Sequence, residues 1–277
     1  MLQRIISTGT ERRHGRQTAI RKILLISIIT INYNNSNGLE KTLSSFEFQN
    51  NSAAFEHVII DGGSTDNSLS IVHNYIKDKD NVIFQSERDR GIYDAMNKGL
   101  KLATGEFVAF LNSGDTFASR DCLRLIAEKL MEEPETDFLY GDISIIDGHG
   151  KRLRHWTSGS FSKLKLYFGW IPPHPLTTIR TTVLNSCGNF DQKYKIAGDY
   201  DLMLRVLMLR ELKVTYLPKT IVNMAAGGIS NGSLRGVIKA NWEVIHSWFH
   251  NKGVIFPYWI FVTVVTKALR KVLQLRR

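Results

Sequence analysis

The sequence is poor in the residues that staple or stiffen a fold. It has two cysteines in 277 residues, Cys122 and Cys187, and neither belongs to a Cys-x-x-Cys pair. That excludes a disulfide scaffold and fits a reducing compartment. Three of its six prolines sit together in Pro172-Pro173-His174-Pro175, a rigid turn or extended segment. It has no internal repeat, no low-complexity linker, and no apolar run of the ~20 residues that a spanning helix needs. Net charge is scarce where a nucleic-acid groove would need it. The total is +10, but residues 1–22 carry +5 and residues 235–277 carry +7, so the body 23–234 carries −2. A near-neutral body excludes a nucleic-acid partner, and basic ends suit an anionic membrane surface.

What the sequence has is alternation. Leu24–Ile31 is an apolar, β-branched run, as expected for a strand buried on both faces. Its basic lead-in resembles a signal peptide, but it runs into Asn32-Tyr33-Asn34-Asn35 with no small-residue cleavage site, so a strand is expected. Helical spacing at Leu39–Phe48, Asp66–Ile76, Gly91–Ala103 and Asp121–Met131 alternates with strands at His57–Ile60, Val82–Phe84, Phe107–Leu111 and Phe138–Tyr140. This pattern predicts an α/β fold with a Rossmann-like, mostly parallel, doubly wound sheet. Ligands of such sheets bind beyond the carboxyl ends of the strands. The second half is less regular. A helix is expected over Gly198–Leu209 and separate strands over Lys213–Leu217 and Ile221–Ala225. The apolar, aromatic and then basic stretch from Gly253 reads either as an interfacial membrane helix or as a core-packed helix with a solvated end.

Two aspartates fall where such a sheet places ligands. Asp61, opening Asp61-Gly62-Gly63-Ser64-Thr65-Asp66, can accept the imide N–H of a uracil; the same stretch also reads as a turn and helix cap. Asp115, closing Asn112-Ser113-Gly114-Asp115, can hold a hard divalent cation, Mn²⁺ or Mg²⁺, that neutralises a diphosphate. Between them, Glu87–Gly99 gathers polar groups at a helix N-terminus, a natural place for phosphate or sugar hydroxyls, with Asp94, Asn97 and Lys98 as candidates. Asp199, in Gly198-Asp199-Tyr200-Asp201, can take a proton from an acceptor hydroxyl or simply cap its helix.

Four ordered phrases, Ser27–Asn34, Val58–Asp66, Gly91–Gly99 and Thr104–Asp115, together resemble the family-2 glycosyltransferases of the GT-A fold, in particular bacterial enzymes of exopolysaccharide and colanic-acid type. The resemblance covers about residues 23–230. It implies a nucleotide-sugar donor, a glycan or lipid-linked acceptor, and work at the inner face of the cytoplasmic membrane. It places Thr30, Asn32 and Tyr33 at the nucleotide, Asp61 at the base and Asp115 at the metal. It also makes Asp199 the catalytic base of an inverting reaction and puts His174 on the acceptor or donor-sugar side. Asn112 and Gly198 depart from the acidic residues common there, and Asp201 stands as a substitute base. The implied organisation is a basic extension 1–22, a GT-A domain 23–232 divided after residue 115 into nucleotide and acceptor halves, and a basic, apolar helical segment 233–277. The alternatives are a non-catalytic carbohydrate- or nucleotide-sugar-binding relative and a sugar nucleotidyltransferase. The latter would want a basic, glycine-rich first loop, which Asn32–Gly38 lacks.

Overall fold

The computed structural model describes residues 25–50, 54–209, 211–227 and 234–251. The basic extension 1–22 and the stretch from Gly253 lie outside the described residues.

Strand β1 (Ile26–Asn32) is buried at every position, so its apolar run needs no polar alternation. It is flanked in parallel by β2 (Phe55–Asp61) and β4 (Phe107–Phe110), and β3 (Val82–Ser86) extends the sheet from β2. Alternate residues of β1 feed two cores. Ile26 and Ile28 pack with Leu39, Leu43 and Phe46 of α1 (Ser36–Glu47), with Val72 of α2 (Ser68–Tyr75) and with α4 (Cys122–Glu132). Ile29 and Ile31 pack with Tyr93 and Met96 of α3 (Ile92–Leu102) and with Leu202 and Val206 of α7 (Gly198–Leu209). Helices on both faces make the doubly wound half that the pattern predicts.

The other half is mixed. The order is β3-β2-β1-β4-β8-β6-β9-β5, with β7 on β6. Here β5 is Thr116–Phe117, β6 Phe138–Ile146, β7 Arg152–Trp156, β8 Thr178–Arg180 and β9 Val214–Ala225. β8 runs antiparallel to both β4 and β6, and β9 runs parallel to β6. The two strands expected on either side of Pro218 are one. Proline has no N–H for the ladder, and the β6–β9 register shifts beside it, between Tyr140 and Ile143. Short helices α5 (Lys163–Tyr167) and α6 (Thr181–Cys187) complete this half. Helix α8 (Leu234–His250) packs on α7, seating Trp248 among Leu204, Tyr200 and Tyr167. No described helix is long and apolar enough to cross a membrane.

Candidate active site

The site lies at the carboxyl ends of β1, β2 and β4. The loops that leave β1 and β2 are sewn together by the residues that made their motifs conspicuous. Asn34 accepts from the Thr65 N–H (2.8 Å) and donates its own N–H to Ser64 (2.8 Å), while Asp66 accepts the Ser36 N–H (2.8 Å). Much of both phrases is therefore spent on fixing two strand ends side by side.

Asp61 is the extreme case. It has no exposed surface, and its carboxylate takes five donors: Asn32 Nδ2 (3.0 Å), Ser64 Oγ (2.6 Å), Ser64 N (2.8 Å), Gly63 N (3.1 Å) and Ser86 Oγ (2.8 Å). Burial pushes its carboxyl up, but the donors outweigh burial and hold it below the ordinary carboxylate range. A carboxylate has about four lone-pair sites. Asp61 thus ties the turn, with its lone pairs taken by protein donors. Thr30 likewise faces the protein. It is fully buried, donates to the Leu111 carbonyl (2.8 Å) and meets His57 Nε2 (2.9 Å). Asn32 is buried, with its amide nitrogen on Asp61 and Ser64 and its Oδ1 without a partner. Tyr33, two-thirds exposed, is the β1-end residue open to a ligand.

Asn112 and Asp115 line a cleft of about 1020 Å³ between the start of α1, the Asp147–Gly150 turn and the end of β9. Asp115 accepts the Ala225 N–H (2.9 Å), and burial pushes its carboxyl up to about 7. Asn112 Oδ1, in the same turn, is buried without a partner. One carboxylate and one bare amide oxygen form a lean, hard donor set. It fits Mg²⁺ or Mn²⁺, which keep water and phosphate ligands of their own. Among the described residues no group of three or more His, Cys, Asp or Glu could hold an ion alone.

Asp199 opens α7 and meets α3 through Tyr93. Its Oδ1 accepts the Tyr200 N–H (2.8 Å) and lies 3.4 Å from the Tyr93 hydroxyl, which donates to the Ile196 carbonyl (2.7 Å). Gly198 now has a reason. A Cβ there would stand 2.7 Å from the Tyr93 ring, so this tyrosine and a side chain at 198 exclude each other. His174 is half-buried, stacked on Phe110 at 5.4 Å, with its Nε2 atom shielded from solvent and unpartnered. Burial lowers its pKa, while the nearby Asp199 charge pulls the other way.

Other candidates hold structure. Asn97 bonds the Phe190 backbone with both ends of its amide, each at 2.9 Å, and so anchors the loop leading to Asp199. Asp201 is buried against Arg205 (2.9 Å), Ser247 (2.8 Å) and Asn251 (3.2 Å); it ties α7 to α8 and is no substitute base. Asp94 accepts the Arg90 N–H (3.0 Å) and Gln192 (3.0 Å), while Lys98 bridges Glu87 (2.8 Å) and Asp89 (2.6 Å); both line a separate shallow depression. Two positioning groups escaped the sequence reading, Tyr93 and Glu243. The Glu243 carboxylate, on α8, accepts the N–H groups of Lys195 (3.1 Å), Ile196 (2.8 Å) and Ala197 (2.9 Å), just before Asp199. Its one signal was that it is the lone acid of the basic stretch 235–277.

The doubly wound half, the mixed sheet beside it and the strand-edge cleft lined by Asn112 and Asp115 are those of the GT-A fold. The model of glycosyl transferase family 2 matches residues 27–187, and the chain belongs to that family. It is a glycosyltransferase. A PGL/p-HBAD biosynthesis glycosyltransferase of Mycobacterium bovis is 30% identical over 179 residues, 64% of this chain and 68% of the relative. An uncharacterized glycosyltransferase of Mycobacterium tuberculosis is 31% identical over 192 residues, 67% of this chain and 70% of the relative. Solved structures share the fold at lower identity. S. aureus TarS 1–349 in complex with UDP-GlcNAc superposes with a TM-score of 0.63 at 20% identity, covering 85% of this chain and 69% of that one. The mannosyltransferase PcManGT from Pyrobaculum calidifontis, in complex with GDP-Man and Mn²⁺, gives 0.60 at 16% identity, covering 90% and 75%. The chain spans about half, 49%, of the longer S. aureus TarS structure.

Proposed function

We propose that the chain is an inverting glycosyltransferase that moves a sugar from a nucleoside-diphosphate sugar, with UDP-sugars the leading candidates, to a glycan or lipid-linked acceptor of bacterial surface polysaccharide. The observation that carries this reading is the placement of Asp199. It stands at the start of α7, directly after a loop clamped from α3 and α8, with the half-buried His174 near it. Asp199 removes the proton of an acceptor hydroxyl as that oxygen attacks the anomeric carbon. The nucleoside diphosphate leaves from the opposite face, so the centre inverts and no covalent intermediate is needed. His174, neutral in its half-buried site, offers Nε2 to a sugar hydroxyl and orients it. Asp115 and Asn112 would hold a divalent cation, which neutralises the departing diphosphate when bound. Orientation by these groups supplies most of the rate, since proximity alone is worth several kcal/mol, of order 7 or more.

Nucleotide-sugar complexes of fold neighbours support the donor class, and a PGL/p-HBAD biosynthesis glycosyltransferase among the relatives supports a biosynthetic transfer. The test is a screen of UDP- and GDP-sugars for release of nucleoside diphosphate, with Mn²⁺, with Mg²⁺ and with chelator. Release that needs the cation, followed by NMR of the transferred sugar showing the opposite anomer, is expected. Retention of configuration would overturn the direct displacement.

A further inference from the structure

We infer that Asp89, on the loop between β3 and α3, is the residue that reads the nucleotide base, and that it selects bases carrying a ring N–H, uracil or guanine, over cytosine and adenine. The inference rests on the reading of this site as a nucleotide-sugar site and goes one step into it.

The carboxylate at the tip of β2, Asp61, is sealed from the ligand by its five donors. The next residue is Gly62, whose missing side chain leaves a space over the strand end. That space is filled from elsewhere: a Cβ at Gly62 would stand 2.8 Å from Asp89 Oδ2 and 3.2 Å from Cδ2 of the Tyr33 ring. Asp89 has therefore reached across to set a carboxylate beside an exposed aromatic face, at the strand end where a nucleotide binds. Lys98 holds it there through Oδ1 (2.6 Å), and Lys98 is itself pinned by Glu87 (2.8 Å) and the Arg88 carbonyl (3.1 Å). No hydrogen bond to Oδ2, the oxygen over Gly62, occurs among the described residues. It is an acceptor held in place with its capacity unspent.

The chemistry follows from what each base presents. Uracil N3–H and guanine N1–H donate to a carboxylate oxygen. Cytosine N3 and adenine N1 present a lone pair at the same place and are repelled. Tyr33 gives any base a stacking face, so Tyr33 contributes affinity and Asp89 contributes the choice.

The experiment is calorimetric titration of the full chain with UDP, GDP, CDP and ADP in MnCl₂, together with melting temperatures. Wild type is expected to bind UDP or GDP at least about tenfold tighter than CDP and ADP. Asp89→Asn should lose about tenfold on the favoured nucleotide, bring CDP within a few-fold of it, and keep its melting temperature. Gly62→Ala, which pushes Asp89 Oδ2 aside, should show the same loss and carries the test if Asp89→Asn fails to fold. Asp61→Asn should lower the melting temperature. Unchanged affinity and unchanged base preference in both the Asp89 and Gly62 variants would overturn the inference and leave the glycosyltransferase reading standing. Failure of wild type to bind any of the four nucleotides would overturn the nucleotide-site reading itself.

Discussion

His57 shows how a single residue couples the strand-end site to stability. Its ring is fully buried, stacked on Phe46 at 3.8 Å and hydrogen-bonded to Tyr75 (3.2 Å) and Thr30 (2.9 Å). Burial, with a smaller push from Lys79, lowers its pKa to about 3. An unfolded histidine titrates near ~6.5, so between that pH and about 3 the unfolded chain binds the extra proton. The neutral ring's contribution is complete above the unfolded value and is lost as pH falls toward the folded one, on the order of several kcal/mol. Melting temperature should therefore drop on acidification from pH 7 to 4, and His57→Gln should flatten that slope; an unchanged slope would dismiss the buried ring as its cause. Residues of this kind mark the limit of motif reading. Thr30 and Asp61 stood out because they occur in a nucleotide-site phrase, yet their polar atoms face inward and bind the protein. Sequence spacing tells which residues share a strand end. Which of them keeps a free lone pair depends on cross-loop partners such as Asn32 and Ser86, which no spacing reveals.

At the scale of elements, the parallel half was legible because its strands are short apolar runs and its helices carry apolar residues at helical spacing. The mixed half was not. β5 has two residues and β8 three, too short for a period, and β7 is an exposed edge strand. The loop before Asp199, the proposed base, belongs to this less legible half, and three residues from two helices hold it: Asn97 and Tyr93 of α3, and Glu243 of α8. A carboxylate on three successive backbone N–H groups fixes a loop much as a bound anion does at a helix start. Glu243 is thus a positioning residue for Asp199. Glu243→Gln should lower kcat about tenfold or more while leaving KM for the donor nearly unchanged, because the donor side lies on other elements. A general loosening of the fold would instead move KM and melting temperature together, and that result would reduce Glu243 to a packing role.

The proposed site joins a parallel half, which carries Tyr33, Asp89 and the Asn112–Asp115 turn, to a mixed half that carries His174 and Asp199. Its charge distribution adds a direction. The body is near neutral, while α8 exposes Ile238, Trp242 and Phe249 and begins the basic stretch 235–277. This favours the expected contact of the basic end with an anionic membrane surface. Flotation with phosphatidylglycerol vesicles should show binding that weakens with salt and with Trp242→Ala; equal recovery with neutral vesicles would remove the electrostatic part. The division of labour between the halves is the central claim, and Asp199 tests it most directly. Donor affinity and sugar transfer should be measured side by side for wild type and Asp199→Asn. Donor affinity should stay within about threefold, and turnover should fall by ~10² or more, the range for loss of a general base. Transfer at the wild-type rate by Asp199→Asn would contradict the account.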